Sequence, residues 1–180
     1  MRQTKVYKMV LSAIFLALGM VLPFLTAQIP SVGSMLLPMH IPVLLCGFVC
    51  GAPYGLIVGF IAPLLRSAVY GMPPMFPTAV SMAFELAAYG ALTGILYHIL
   101  HQKGKHGVVS IYIALVAAML GGRIVWGAVR LVLAGITGNA FTGAAFLAGA
   151  FTTAIPGIIL QLILIPILVA ALERAHVMGN

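Results

Sequence analysis

Residues 108–133 read VVSIYIALVAAMLGGRIVWGAVRLVL, an apolar run whose only charges are Arg123 and Arg130. A helix needs about 20 such residues to cross the hydrocarbon core of a bilayer, so the run predicts a spanning helix. The rest of the chain agrees. Of 180 residues, 63% are hydrophobic and 6% are charged, whereas an ordinary soluble domain is about 25% charged. Such a composition cannot furnish a water-exposed surface, and it leaves no room for a soluble catalytic domain. The expectation is one all-α integral membrane domain over residues 1–180.

Working outward from that run, the apolar segments and their breakers predict six transmembrane helices. They cover Lys8 to Ala27, Met39 to Gly51, Tyr54 to Val69, Thr78 to Leu100, Val108 to Leu133 and Ala145 to Leu172. The second is short, and Pro156 and Pro166 interrupt the last. The N-terminal run is read as a retained first helix and not as a signal peptide. Six helices put both termini on one side, shared by Arg2, Lys5, Lys8, Lys103, Lys105 and Arg174. Lys and Arg mark cytoplasmic loops, so the termini are expected in the cytoplasm of a multi-pass cell-membrane protein. The net charge of +7 is read as this topology signal, with membrane lipid around the chain and no nucleic-acid partner. The breaker-rich loops at Gln28–Ser34, Gly71–Pro77 and Gly135–Asn139 then face outward, where lids and binding loops tend to sit.

Within the expected spans lie Glu85, Arg123 and Arg130. Burying such a charge costs at least about 2.5–3.5 kcal/mol, so each should face a partner or a cavity. Arg123 and Arg130 are seven apart and share a helix face, with Trp126 and Gly127 between them. Glu85 has two readings that can coexist: it locks two helices by pairing with an arginine, or it lines a ligand pocket. Whether the partner is Arg123 or Arg130 stays open. Arg66 is either an interfacial anchor or a binding residue. His40, opening the second helix, is either a cap or a ligand contact. Asn139 and Tyr89 offer hydrogen bonds, and Trp126 offers an aromatic wall or an interfacial anchor. Gln161, deep in the last helix, reads as a helix–helix hydrogen-bond donor. These assignments give a candidate substrate site of Arg123, Arg130, Glu85, Trp126, His40, Arg66, Asn139 and Tyr89.

Small residues form a second pattern. Ala13 and Ala17 are four apart, as are Gly47, Gly51, Gly55 and Gly59, and also Gly90 and Gly94. Such spacing lets helices approach closely in lipid. The glycines read first as internal packing. Cys46 and Cys50 read as buried thiols on one side of a helix and not as a disulfide or metal site. His98, His101 and His106 lack Cys or carboxylate neighbours in sequence, so no metal is assigned to them. No G-x-x-x-x-G-K-[ST], H-E-x-x-H or G-x-S-x-G motif occurs, and the chain contains no Asp. It is therefore read as neither an ATPase nor an enzyme with a recognisable nucleophile and base.

With Ala13-Ile-Phe-Leu-Ala17 on the first helix and Leu36-Leu-Pro-Met-His-Ile-Pro-Val43 after a lid-like loop, the layout resembles the S-components of energy-coupling factor (ECF) vitamin transporters. The resemblance spans essentially the whole chain and points to the branch with pantothenate-type members. It implies high-affinity capture of a small water-soluble vitamin by a membrane subunit. That subunit docks on a transmembrane coupling protein and two ATPase subunits, which hydrolyse the ATP, so this chain carries no cofactor. It also implies a coupling face at Ala13 and Ala17 and a lid around Gln28–Leu37. Three arginines against Glu85 in the outer half suggest an anionic substrate, pantothenate first and a folate second. A pyrimidine or pyridoxine-type vitamin fits that charge less well. An autonomous secondary transporter coupled through Glu85 is the alternative from a different class.

Overall fold

A computed structural model describes residues 4–26, 35–104, 107–138, 142–149, 154–175 and 177–178. Among them every regular element is helical. In chain order they are α1 (Lys5–Val21) with a 3-10 turn at Leu22–Thr26, α2 (His40–Cys50) and α3 (Ala52–Tyr70). An irregular turn at Met75–Ala79 leads into α4 (Val80–Gln102), followed by α5 (Val108–Thr137), α6 (Gly143–Leu147) and α7 (Ile155–Arg174). The ends have local causes. Thr4 caps α1, its hydroxyl accepting from the Tyr7 amide at 3.2 Å. Gly138, at φ 70°, stops α5 in the left-handed region that favours glycine. α7 begins at Ile155 and not at Ala145, because Pro156 suits a first helical turn, where a missing N–H goes unnoticed.

Each of the six expected spans contains a helix among the described residues, but the helices differ in length. Five segments are long and apolar enough to cross a membrane: Lys5–Phe24, Ala52–Tyr70, Met75–Gln102, Val108–Thr137 and Ile155–Arg174. α2 has eleven residues, which at 1.5 Å each reach about 16 Å, roughly half the hydrocarbon thickness. All eleven are buried, wrapped by α1, α3, α4 and α7. A helix that is hydrophobic all round belongs inside, and one enclosed by protein need not match the bilayer. α2 also holds the two cysteines, which are free and buried. The Cys46 thiol reaches the Ser12 hydroxyl of α1 at 3.7 Å.

α4 is the most enclosed of the long helices, and glycine explains how. α2 and α3 lean on it through backbone, not side chains. A Cβ built at Gly47 would strike Thr93 and the Gly90 carbonyl. One at Gly55 would meet the Gly90 carbonyl, and one at Gly59 the Leu86 carbonyl. Gly94 in turn faces Ala52 and Gly51. The four-residue glycine spacing is therefore internal packing, the geometry small residues permit in lipid. Gly51, at φ 95°, makes the sharp reversal between α2 and α3.

One end of the bundle carries Lys5 and Lys8 in the first turn of α1, Lys103 after α4, and Arg174 closing α7. There the Tyr97 hydroxyl of α4 donates to the Glu173 carboxylate of α7. His101 approaches the same carboxylate at 3.9 Å, so this histidine gains an acidic neighbour invisible in the sequence. At the opposite end Arg66 of α3 donates to the Met20 carbonyl of α1 at 2.7 Å.

The α3–α4 contact is testable. Gly90→Ala should force the two backbones apart at a cost of about 1–3 kcal/mol, the range for overpacking a filled core. The unfolding midpoint of the detergent-purified protein should fall. Gly135→Ala, where nothing lies within 4 Å, should leave it unchanged or raise it.

Candidate functional site

Ten polar or charged residues are buried among the described residues, and five of them donate to backbone carbonyls. Ser81 donates to the Thr78 carbonyl, Thr93 to that of Tyr89 and Ser110 to that of Gly107. Four others do not. His40, Glu85, Arg123 and Gln161 all keep buried side-chain nitrogen or oxygen atoms without a hydrogen-bond partner. Native interiors rarely tolerate such atoms, since each costs about 1–3 kcal/mol.

Three of the four converge. Glu85 sits on α4 and Arg123 on α5, and the guanidinium NH1 lies 2.9 Å from Glu85 Oε1. His40, the first residue of α2, brings Nε2 to 3.6 Å from the same oxygen. The arginine N–H groups do not line up on that oxygen, which still lacks a directed hydrogen bond, as does Arg123 NH2. The contact is coulombic, and it resolves the open pairing: Arg123, not Arg130, neutralises Glu85. Tyr89 lies one turn beyond Glu85 and meets the His40 ring edge-on at 5.2 Å. Its own ring lies against Gly122, where a Cβ would come within 3.1 Å of it. Gly122 thus lets an aromatic ring reach the backbone of α5 beside Arg123.

Beyond this group, α5 carries Trp126 and Arg130 on the face of Arg123. Arg130 stands over the Trp126 ring at 5.7 Å, a cation–π distance. Phe146 of α6 stacks on Trp126 as well, with ring centroids 6.1 Å apart. Gly127 and Gly149 sit where side chains would collide with Phe146 and Trp126. α6 is therefore seated on α5 by aromatic contact one to two turns from the ion pair.

Arg66 is brought elsewhere. Besides the Met20 carbonyl, its guanidinium lies 5.2 Å from the Phe24 ring and 5.4 Å from that of Tyr70. Met20 is in the last turn of α1, whose terminal carbonyls lack helical partners and carry the negative end of the dipole. Arg66, itself buried, clamps α3 to that helix end, a role distinct from the interfacial anchor and the binding residue that the sequence suggested. Asn139 lies outside the described residues, as do residues 28–34 of the expected lid; Met35, Leu36 and Leu37 are described. Gln161 differs from its reading as a helix–helix donor: both amide atoms are buried without a partner. Its signal was present in the sequence, as the one amide in an otherwise apolar helix.

A family model described as "ECF transporter, substrate-specific component" matches residues 7–169. The match takes in α1 through α6, most of α7 and every candidate site residue. No curated protein and no solved structure matches the chain.

The ion pair makes a stability prediction. Glu85→Gln strands the Arg123 charge in a dry interior, which should cost about 3–5 kcal/mol. Adding Arg123→Met to Glu85→Gln should restore much of the lost unfolding midpoint. Losses that simply add in the double variant would mean the two groups do not stabilise each other.

Proposed function

Because the chain belongs to the family of ECF transporter substrate-specific components, we propose that it captures a small water-soluble anion, pantothenate first and a folate second. Membership makes it the substrate-binding subunit of a multi-pass membrane transporter, not an enzyme, working with an ECF module of ATPase and transmembrane components. That selects the binding subunit over an autonomous secondary transporter. ATP is hydrolysed by the partner ATPases, two in number, and this chain takes no cofactor. Residues 1–180 act as a single membrane domain.

The observation that carries the substrate reading is the group formed by Glu85, Arg123 and His40, charged and polar yet incompletely hydrogen-bonded. A structural lock would align its donors and acceptors on one another. A binding site keeps some in reserve for the ligand. The sign follows from charge: α4 and α5 bring Arg123 and Arg130 to this region but one acid, Glu85. Arg123 NH2 still has hydrogen-bonding capacity, and a guanidinium fork suits a carboxylate. Arg130 on the same face, with Trp126 and Tyr89, extends the site toward α6. The side of entry follows from the lysine-bearing end, which by the positive-inside rule faces the cytoplasm with both termini. The ion pair then opens toward the outside, beneath the segment that precedes His40.

Coupling is assigned to α1. It is the least enclosed of the five long helices, and Ala13 and Ala17 lie exposed on it beside Val10, Ile14 and Leu18. Two alanines one turn apart leave a shallow track in that face, wide enough for a partner helix to approach closely.

Calorimetry on the purified protein tests the substrate. Pantothenate should bind, and Arg123→Ala or Arg130→Ala should weaken it by about 1.5–3 kcal/mol, the scale of a charged hydrogen bond. Tight binding of a neutral or cationic vitamin, unchanged in both variants, would overturn the anionic reading. For coupling, Ala13→Leu with Ala17→Leu should abolish ATP-driven uptake while pantothenate affinity stays intact. Normal uptake by that double variant would remove α1 as the docking face.

A further inference from the structure

Resting on the substrate-binding role above, the structure assigns Gln161 to the binding site, where we propose that its amide reads a hydrogen-bond donor and acceptor side by side on the substrate. α7 buries one stripe, made by Gly157, Gln161, Ile165 and Val169. These residues recur every four positions and so face one way. The stripe turns toward α2 and α5, the described helices against which α7 packs most. Its first member fixes the register. A Cβ at Gly157 would lie 2.6 Å from the Met35 carbonyl oxygen and 2.9 Å from the Leu36 carbonyl carbon. The chain just before α2 therefore crosses α7 in backbone contact at this glycine.

From that crossing both helices run toward the lysine-bearing end. Gln161 lies four residues beyond Gly157, and His40 lies four beyond Leu36. Gln161 therefore lies about one helical turn, 5.4 Å, inside the crossing along α7, while the chain turns through residues 37–39 to open α2 at His40. His40 is in turn 3.6 Å from the Glu85 oxygen that holds Arg123. Gln161 thus lies on the buried face that α7 turns toward the helices carrying His40 and Arg123, with both amide atoms unmet.

The chemistry of the atoms left over then specifies the ligand further. Arg123 NH2 and Gln161 Nε2 are donors, Gln161 Oε1 is an acceptor, and a neutral His40 ring supplies one of each. A bare anion brings acceptors only. It would satisfy the arginine and leave Gln161 Oε1 buried and unmet. The substrate must also present an O–H or N–H next to a carbonyl or hydroxyl oxygen. An α-hydroxy amide does so, with its hydroxyl donating to Oε1 and its carbonyl accepting from Nε2. A ring lactam does the same with N–H and C=O. A carboxylate at one end and such a pair at the other describe pantothenate, and they exclude a simple aliphatic acid. Gln161 is then a specificity-determining residue and not a helix–helix tie.

The test pairs Gln161→Met, which keeps the length but removes both polar atoms, with two readings. In the ligand-free protein the substitution removes an unmet buried amide, so the unfolding midpoint should hold or rise. A clear fall would show that Gln161 ties helices together and would overturn the proposal. In calorimetry, pantothenate should bind Gln161→Met about ten-fold or more weakly, equivalent to about 1.4 kcal/mol or more. Pantothenate lacking its α-hydroxyl should lose little further affinity in that variant. Unchanged pantothenate affinity in Gln161→Met, alongside weakening by Arg123→Ala, would sink the role of Gln161 and leave the anionic site standing. Should the unsubstituted protein bind neither pantothenate nor folate, the substrate assignment fails. The ligand-free midpoint then still decides: a fall overturns the role of Gln161, and a rise supports it.

Discussion

A carboxylate cannot remain ionised inside an apolar helix bundle without a countercharge, and Glu85 finds it in Arg123 at 2.9 Å. Much of the interior is arranged around that requirement. α4 and α5 must lie side by side in one register for the pair to form. α2 must begin at His40 and not deeper, so that an imidazole arrives at the same oxygen. Gly122 must lack a side chain so that Tyr89 can lie against α5 beside the pair. In a medium with little water the coulombic attraction is strong, and so is the penalty for a displaced partner. This makes the pair a reference point from which the other polar groups take their positions.

Glycine supplies the enclosure. Around α4 the backbones of α2 and α3 come so close that any side chain at Gly47, Gly55, Gly59 or Gly90 would collide with main chain or with Thr93. Lipid offers no hydrophobic drive for helices to associate, so close backbone contact and its dispersion energy take that part. The consequence is functional. α2 becomes a short helix surrounded on all sides, which turns His40 inward at the depth of Glu85 instead of toward lipid. Arg66 and the Tyr97–Glu173 contact then hold the two ends of the bundle. The wall of Trp126, Phe146 and Arg130 lies between the ion pair and one of those ends.

Polar atoms divide this interior into two kinds. Serine and threonine hydroxyls turn back on the preceding turn of their own helix and are satisfied there. Amide, imidazole and guanidinium groups are too long or too rigid to do so, and they wait on a partner from another element. Arg66 finds its partner in the Met20 carbonyl, and for His40, Arg123 and Gln161 the proposed partner is the substrate. A binding subunit must hold its ligand and give it up again. Donors and acceptors held in place but unmet make binding favourable without tying the empty protein into a different packing.

Composition and periodicity alone determined that the chain is an all-helical membrane protein, because 63% hydrophobic content admits no other solvent. They also placed four of the helix bodies within a few residues and marked Glu85, Arg123 and His40, since charge and imidazole stand out against an apolar background. The glycine spacing was legible as packing for the same reason. Sequence could not decide between Arg123 and Arg130 as the partner of Glu85. Both lie on one helix face, and only the register of α4 against α5 separates them. It could not show that α2 is enclosed, because a hydropathy run does not reveal whether a helix faces lipid or protein, and α2 is buried along its whole length. Nor could it tell a clamp from a binding arginine at Arg66, or a helix tie from an unmet amide at Gln161. Those distinctions rest on which atoms of other elements come within 3 Å, a property of the tertiary structure alone.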